Sequence, residues 1–250
     1  MRKYLMLSMA LAALIAVSVV GIATGANKPV TVEAGNLVFT FNGGFSPTKL
    51  PKNKFAPISL TASGKIATKD GTHPPALKET IVETDKNGAI NVKGIKVCKS
   101  GQLQSRDTKA AEKACKKSII GTGQTTVEVQ FPEQKPIDVD SKLLVLNGGF
   151  SGGTTTLFIH AYFSAPVTGA IVTTLKIKKV HNGRYGMKTI ATIPKIAGGS
   201  GSVKTFSLTI NKKGVLTAKC PDGKLQAKAT GIFSDGTKAS ATIIRTCTGT

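Results

Sequence analysis

Hydrophobic and polar positions alternate through most of this chain with a period of two, the spacing of a half-buried β-strand. The cleanest run is Thr125 to Phe131, which turns Val127, Val129 and Phe131 one way and Glu128 and Gln130 the other. Upstream of it, Val30 to Val32, Asn36 to Phe41, Ile58 to Thr61, Thr80 to Thr84 and Ala89 to Val92 read as strands. Downstream the candidates are Leu143 to Leu146, Thr155 to Phe163, Ala170 to Ile177, Met187 to Ile193, Val203 to Ile210 and Val215 to Cys220. Leu225 to Phe233 and Lys238 to Cys247 close the series as a hairpin around Ser234-Asp235-Gly236. Within Val203 to Ile210, the side chains of Phe206, Leu208 and Ile210 share one face. Only one stretch carries a helical pattern. Asp107 can cap a helix over Thr108 to Lys117, whose Ala110, Ala111, Ala114 and Cys115 form a small-residue face with lysines at the C-terminal end.

The pentapeptide Asn-Gly-Gly-Phe-Ser occurs twice, at Asn42 and again at Asn147, 105 residues apart (147 − 42). Each copy follows an apolar run, and Asn42-Gly43-Gly44 and Asn147-Gly148-Gly149 both predict a repeated tight turn, because Asn and Gly accept positive φ. A second match aligns Lys86-Asn87-Gly88-Ala89-Ile90, running on to Cys98, with Asn211-Lys212-Lys213-Gly214, running on to Cys220. The spacing suits two tandem β-sandwich modules of immunoglobulin-like type, residues 27–135 and 136–250. Pro132 to Pro136 is the expected linker, and the first module carries the short helix.

The N-terminus reads as a signal peptide over residues 1–26. Arg2 and Lys3 precede an apolar stretch from Leu5, and Ala23-Thr24-Gly25-Ala26 supplies small residues, so cleavage is expected after Ala26. The alternative is an uncleaved anchor, since the 19 residues from Leu5 to Ala23 could just span a bilayer. No cysteine lies nearby, which excludes a lipid anchor on Cys. After cleavage no membrane span is expected. The protein is then secreted, extracellular or surface-associated, or periplasmic in a host with an outer membrane.

Cysteine usage fits that route. An even number behind an export signal, Cys98, Cys115, Cys220 and Cys247, suggests disulfides, and four cysteines allow three connectivities. One bridge per module, Cys98 with Cys115 and Cys220 with Cys247, is the simplest pairing if the modules are repeats. Zinc is not expected, because no two cysteines have metal-ligand spacing and the three histidines are scattered.

The chain carries 34 Lys and Arg against 13 Asp and Glu, a formal charge of +21, and all but four of the cations are lysines. Such a field attracts anionic surfaces, among them envelope polymers, lipid headgroups and nucleic acid. The competing explanation is a lysine coat that keeps sheet edges from pairing, and the absence of any run longer than a lysine pair favours it. Scarce arginine and the lack of tryptophan argue against base readout and stacking on sugars or single strands, so no specific nucleic-acid recognition is expected.

Motifs for catalysis are incomplete. Gly149-Phe150-Ser151-Gly152-Gly153 fits the pattern of a nucleophile elbow, with His160 nearby, yet no helix follows and the first copy at Ser46 loses the pattern. Asp85-Lys86-Asn87-Gly88 fails as a calcium loop because Lys96 stands where an acid is required. Asp138 and Asp140 alone make a weak cation site. Gly198 to Ser202 lacks the lysine spacing and helix of a phosphate loop, and His73, His160 and His181 have no metal spacing. No cofactor and no metal are expected.

The segment from Cys98 to Gly121, with Ala111, Cys115 and Ile119-Ile120-Gly121-Thr122-Gly123, resembles uncharacterised secreted proteins of actinobacteria. Leu146-Asn147-Gly148-Gly149 and Lys219-Cys220-Pro221-Asp222-Gly223 extend the resemblance over most of the chain. It implies a secreted two-module β protein and transfers no catalytic residues. The expectation is therefore a non-enzymatic envelope or extracellular structural protein with a cationic surface for anionic polymers. The alternatives are a secreted serine hydrolase using Ser151, or a carbohydrate- or metal-assisted binding module. Oligomeric state is left open.

Overall fold

A computed structural model describes residues 19–24 and 28–250. Most of the leader and the expected cleavage point after Ala26 lie outside the described residues. The fold is mainly β, with one α-helix among the described residues. In chain order the strands are β1 Val19–Thr24, β2 Val30–Ala34, β3 Leu37–Ser46, β4 Lys49–Leu50, β5 Ala56–Thr68, β6 Leu77–Asp85, β7 Gly88–Ile90 and β8 Ile119–Val129. Then follow β9 Ile137–Ser151, β10 Thr154–Phe163, β11 Gly169–Asn182, β12 Tyr185–Thr192, β13 Gly201–Ile210, β14 Leu216–Ala218, β15 Lys224–Phe233, β16 Lys238–Thr246 and β17 Thr248–Gly249. Helix α1, Thr108–Cys115, lies between β7 and β8, and Asp107 accepts from the Ala110 amide at 2.7 Å as its cap. The three residues beyond it, which the helical pattern included in part, tighten into a 3₁₀ turn.

Hydrogen bonding joins the strands in the order β1-β16-β15-β6-β12-β11-β10-β9-β8-β13-β5-β14-β7, with β3 on the other edge of β5 and β2 beyond it. The long strand β5 is shared, its residues Leu60 to Lys65 pairing with β13 and Ala56 to Ile58 with β14. The sheet is open. It curls so that β2 and β3 at one end and β15 and β16 at the other contribute to one core: Val30, Val32, Phe39, Phe41, Ala229, Phe233, Ala241 and Ile243.

This arrangement does not divide at the expected linker. Strands β8 and β9, on either side of Pro132 to Pro136, pair directly from Val129 opposite Ile137 onward, so that segment connects a hairpin. The halves also exchange strands. β6 from the first half lies between β12 and β15 of the second. β13 from the second lies between β5 and β8 of the first. The two segments matched in sequence meet at β7 and β14, where Gly88 to Ile90 pair with Ala218 to Leu216. Each half therefore completes its hydrogen bonding with a strand of the other.

The repeated Asn-Gly-Gly is not a turn in either copy. Asn42-Gly43-Gly44 continues β3, paired with Ser63, Ala62 and Thr61. In β9, Thr156 faces Gly149 and Leu157 faces Asn147, leaving Gly148 as the extra residue of a β-bulge. The chain turns later, at Gly152 and Gly153, whose φ of 53° and 73° between paired Ser151 and Thr154 make the two-residue hairpin turn that glycine allows. Asn side-chain bonding explains the difference. Asn147, buried, donates to the carbonyls of Ile95 and Lys96 at 3.0 and 3.2 Å and accepts from Gly149 N at 2.8 Å. It thereby stitches the Cys98 loop to β9.

Both disulfides are the within-half pairs, Cys98–Cys115 and Cys220–Cys247, with Cα atoms 5.6 and 6.1 Å apart. The first pins α1 over one face of β9 and β10, where Leu103, Ala111, Leu144, Leu146 and Phe158 form a small separate core. The second joins Leu50, Ala218 and Leu225 in another.

Candidate functional site

Four strands, β11, β12, β6 and β15, carry the feature with the clearest functional chemistry. Five of their residues turn inward to the core, Ile177, Leu175 and Met187 in one cluster and Val82 and Ala229 in another. Alternation then turns Lys176, Lys178, Lys188, Glu83 and Lys228 to the opposite, outer face. Strand register aligns four of them. Lys178 faces Lys188, Lys188 faces Glu83, and Glu83 faces Lys228. Directly opposed positions lie about 5 Å apart, so the row spans about 15 Å across the strands. Lys176 extends it along β11.

Like charges placed directly opposite repel. Glu83 relieves part of this repulsion, and Asn182 Nδ2 donates to its Oε1 at 3.0 Å. No ion pair to a described residue holds Lys176, Lys178, Lys188 or Lys228 within 4.0 Å. The ammonium groups are thus free to meet an external anion. Lys176, Lys178 and Lys188 come from one hairpin, β11 and β12, and Lys228 joins them from β15 through β6, which is why the chain itself shows only pairs.

The acidic residues of β8 and β9 lie elsewhere in the sheet and are already engaged. Lys204 Nζ reaches Asp138 at 2.8 Å and Glu128 at 3.1 Å, and the hydrogen bond to Asp138 foremost raises its pKa. Asp140 accepts from Thr126 Oγ1 at 2.7 Å. Asp138 and Asp140 therefore do not converge on an open cation site. Among the described residues no cluster of three or more His, Cys, Asp or Glu could hold a metal.

A different polar cluster has no sequence signature. His73 Nδ1 meets Glu128 Oε1 at 2.8 Å, and its Nε2 meets Ser202 Oγ at 3.1 Å. The order carboxylate, imidazole, hydroxyl is that of a hydrolytic triad. Its chemistry is not available here, because Ser202 is 2% exposed and donates its proton to the Pro74 carbonyl at 2.6 Å. The cluster works as a clasp. It holds the loop between β5 and β6 onto β8 and β13, with register placing Ser202 opposite Glu128.

Ser151 and His160 are not brought together. Ser151 is exposed at the hairpin end, opposite Thr154, whereas His160 lies six residues farther along β10, about 20 Å at strand rise. His160 is fully buried beneath the Cys98–Cys115 segment, and its Nε2 meets the Arg106 carbonyl at 3.0 Å. Burial lowers its pKa, so the ring is neutral and acts as a packing and anchoring group.

A small, partly open apolar cavity of about 60 Å³ lies between Val127, Val129, Phe163, Pro166 and Ile171. A broad trough of about 810 Å³ crosses β5, β13, β8 and β9; threonine, serine and glycine line most of it, with Gln124, Asp140 and Lys142 among them and Phe206 as its one aromatic side chain. No helix among the described residues is long and apolar enough to cross a membrane. No protein-family model matches the chain, and no curated protein or solved structure matches it either.

Proposed function

We propose that this is an exported, non-enzymatic protein of the cell envelope or its exterior, whose lysine row engages anionic polymers. The observation that carries the reading is the alignment of Lys178, Lys188 and Lys228 in one cross-strand row without internal ion pairs. Three ammonium groups on a rigid sheet present a fixed spacing to a flexible polyanion, and the net charge of +21 draws that polymer in. Two disulfides fit an oxidising exterior, and residues 1–26 supply the export leader of this proposal.

Co-sedimentation of the exported protein with isolated cell envelopes across a salt series tests the reading. Binding should fall at least tenfold between low salt and about 0.5 M, because exposed charges are screened beyond a few ångströms there. Retention that ignores salt, or no retention at any salt, would contradict it.

A further inference from the structure

Strand β1 belongs to the segment expected to be removed on export, yet it is built into the sheet. Val19 to Thr24 run parallel to Ala239 to Ile244 of β16, in register over six residues. The core-facing side of β1 packs on β2. A Cβ on Gly21 would come within 2.8 Å of the Val30 Cγ1 and Val32 Cγ2 methyls, both on buried, branched side chains that cannot swing aside. Only glycine fits that position without displacing the core. β1 thus fills a seam where the free edge of β16 lies over β2, covering the core formed by Val30, Val32, Ala239 and Ala241.

The chain just beyond the seam is anchored independently. Arg245 Nη2 donates to the Lys28 carbonyl at 2.9 Å and to Asn42 Oδ1 at 2.7 Å, and its Nε donates to the Gly43 carbonyl at 2.6 Å. Cleavage after Ala26 would leave Lys28 held by Arg245 while Val19 to Thr24 depart. The edge of β16, with its unpaired amides and carbonyls, and the apolar floor beside it would then be vacant.

We infer that this seam is a strand-binding groove, occupied by β1 before processing and, after processing, by an extended apolar segment of a partner protein. The occupant is specified by what β1 shows: a parallel strand of about six residues, apolar, with glycine at the position of Gly21. Backbone hydrogen bonds to β16 would give affinity, and the Val30 and Val32 methyls would select glycine. The inference rests on the export reading above, specifically on removal of residues 1–26.

The experiment uses the exported protein, its N-terminus read by mass spectrometry, and two fluorescent peptides. One is Val-Val-Gly-Ile-Ala-Thr, the sequence of Val19 to Thr24, and the other carries Gly21→Val. The expected result is an N-terminus at Asn27, saturable one-to-one binding of the first peptide, and binding of the second at least tenfold weaker. An N-terminus at Asn27 with neither peptide bound, or both bound alike, overturns the groove. Exported protein that retains Val19 to Thr24 overturns its vacating and removes the cleavage reading too, while leaving the lysine row to be judged by its own salt series.

Discussion

Arg245 near the C-terminus donates to the side-chain oxygen of Asn42, 203 residues earlier, at 2.7 Å. The contact joins β16 to β3 across the gap where the curled sheet stays open. Arg245 is 6% exposed, and burial lowers its pKa from the usual arginine value. Arg245→Met would leave the Gly43 and Lys28 carbonyls and Asn42 Oδ1 without this donor. We expect a loss of about 3 kcal/mol of stability, read by urea denaturation as a lower midpoint at unchanged slope.

The disulfides should contribute similar amounts. Cys98–Cys115 and Cys220–Cys247 close segments separated by 17 and 27 residues, each worth about 3 kcal/mol in the chain-entropy model. Loss of Cys98–Cys115 should act first on its own region, because the core it joins is the separate one beneath α1. In hydrogen exchange, the Cys98,Cys115→Ala double variant should lose protection in α1 and β10 while β15 and β16 keep theirs. Uniform loss of protection would contradict this division.

His160 makes that region acid-sensitive. Its folded pKa is depressed, chiefly by desolvation, below the ordinary 6.5. The unfolded chain therefore takes up the proton first as pH falls. The stabilising effect of the neutral ring is present above pH 6.5 and is lost on acidification below it, with a slope of up to about 1.4 kcal/mol per pH unit. Thermal melts from pH 7.5 to 5 should show that slope in the wild type and a shallower one in His160→Gln. Equal slopes would exclude His160 as the titrating group.

Much of the architecture is legible in the alternating pattern, as Thr125 to Phe131 and Val203 to Ile210 show, and the cap at Asp107 marks the one helix. Cysteine parity points to disulfides but leaves three connectivities open; the observed bridges are the pairing expected if the modules are repeats. The failures share a cause: local signals do not reveal which strands become neighbours. Asn147-Gly148-Gly149 has turn chemistry, but the Asn147 side chain is captured by the Ile95 and Lys96 carbonyls, 52 and 51 residues away, and the glycines serve a bulge. Exchange of β6 and β13 between halves depends on nonlocal pairing, so a proline-flanked segment looked like a linker. The lysine row and the His73–Ser202 contact likewise arise only from register, the latter between residues 129 apart.

Close strand packing gives another check on that pairing. A Cβ at Gly123 would collide with the Ser207 carbonyl oxygen, and one at Gly121 with that of Thr209, both backbone atoms of β13. Gly123→Ala should therefore force β8 and β13 apart and cost more than about 2 kcal/mol, beyond the usual range for a surface change. A stability within 0.5 kcal/mol of wild type, an estimate of that surface range, would mean the two strands are not neighbours there.

The most direct test of the proposed function compares two triple variants in envelope co-sedimentation at low salt. Lys178→Gln, Lys188→Gln, Lys228→Gln removes the row, whereas Lys93→Gln, Lys113→Gln, Lys213→Gln removes the same charge from dispersed exposed positions. The row variant should lose at least about tenfold in affinity and much of its salt dependence, while the control stays within about threefold of wild type. Equal losses would make net charge the operative property and contradict a binding role for the row.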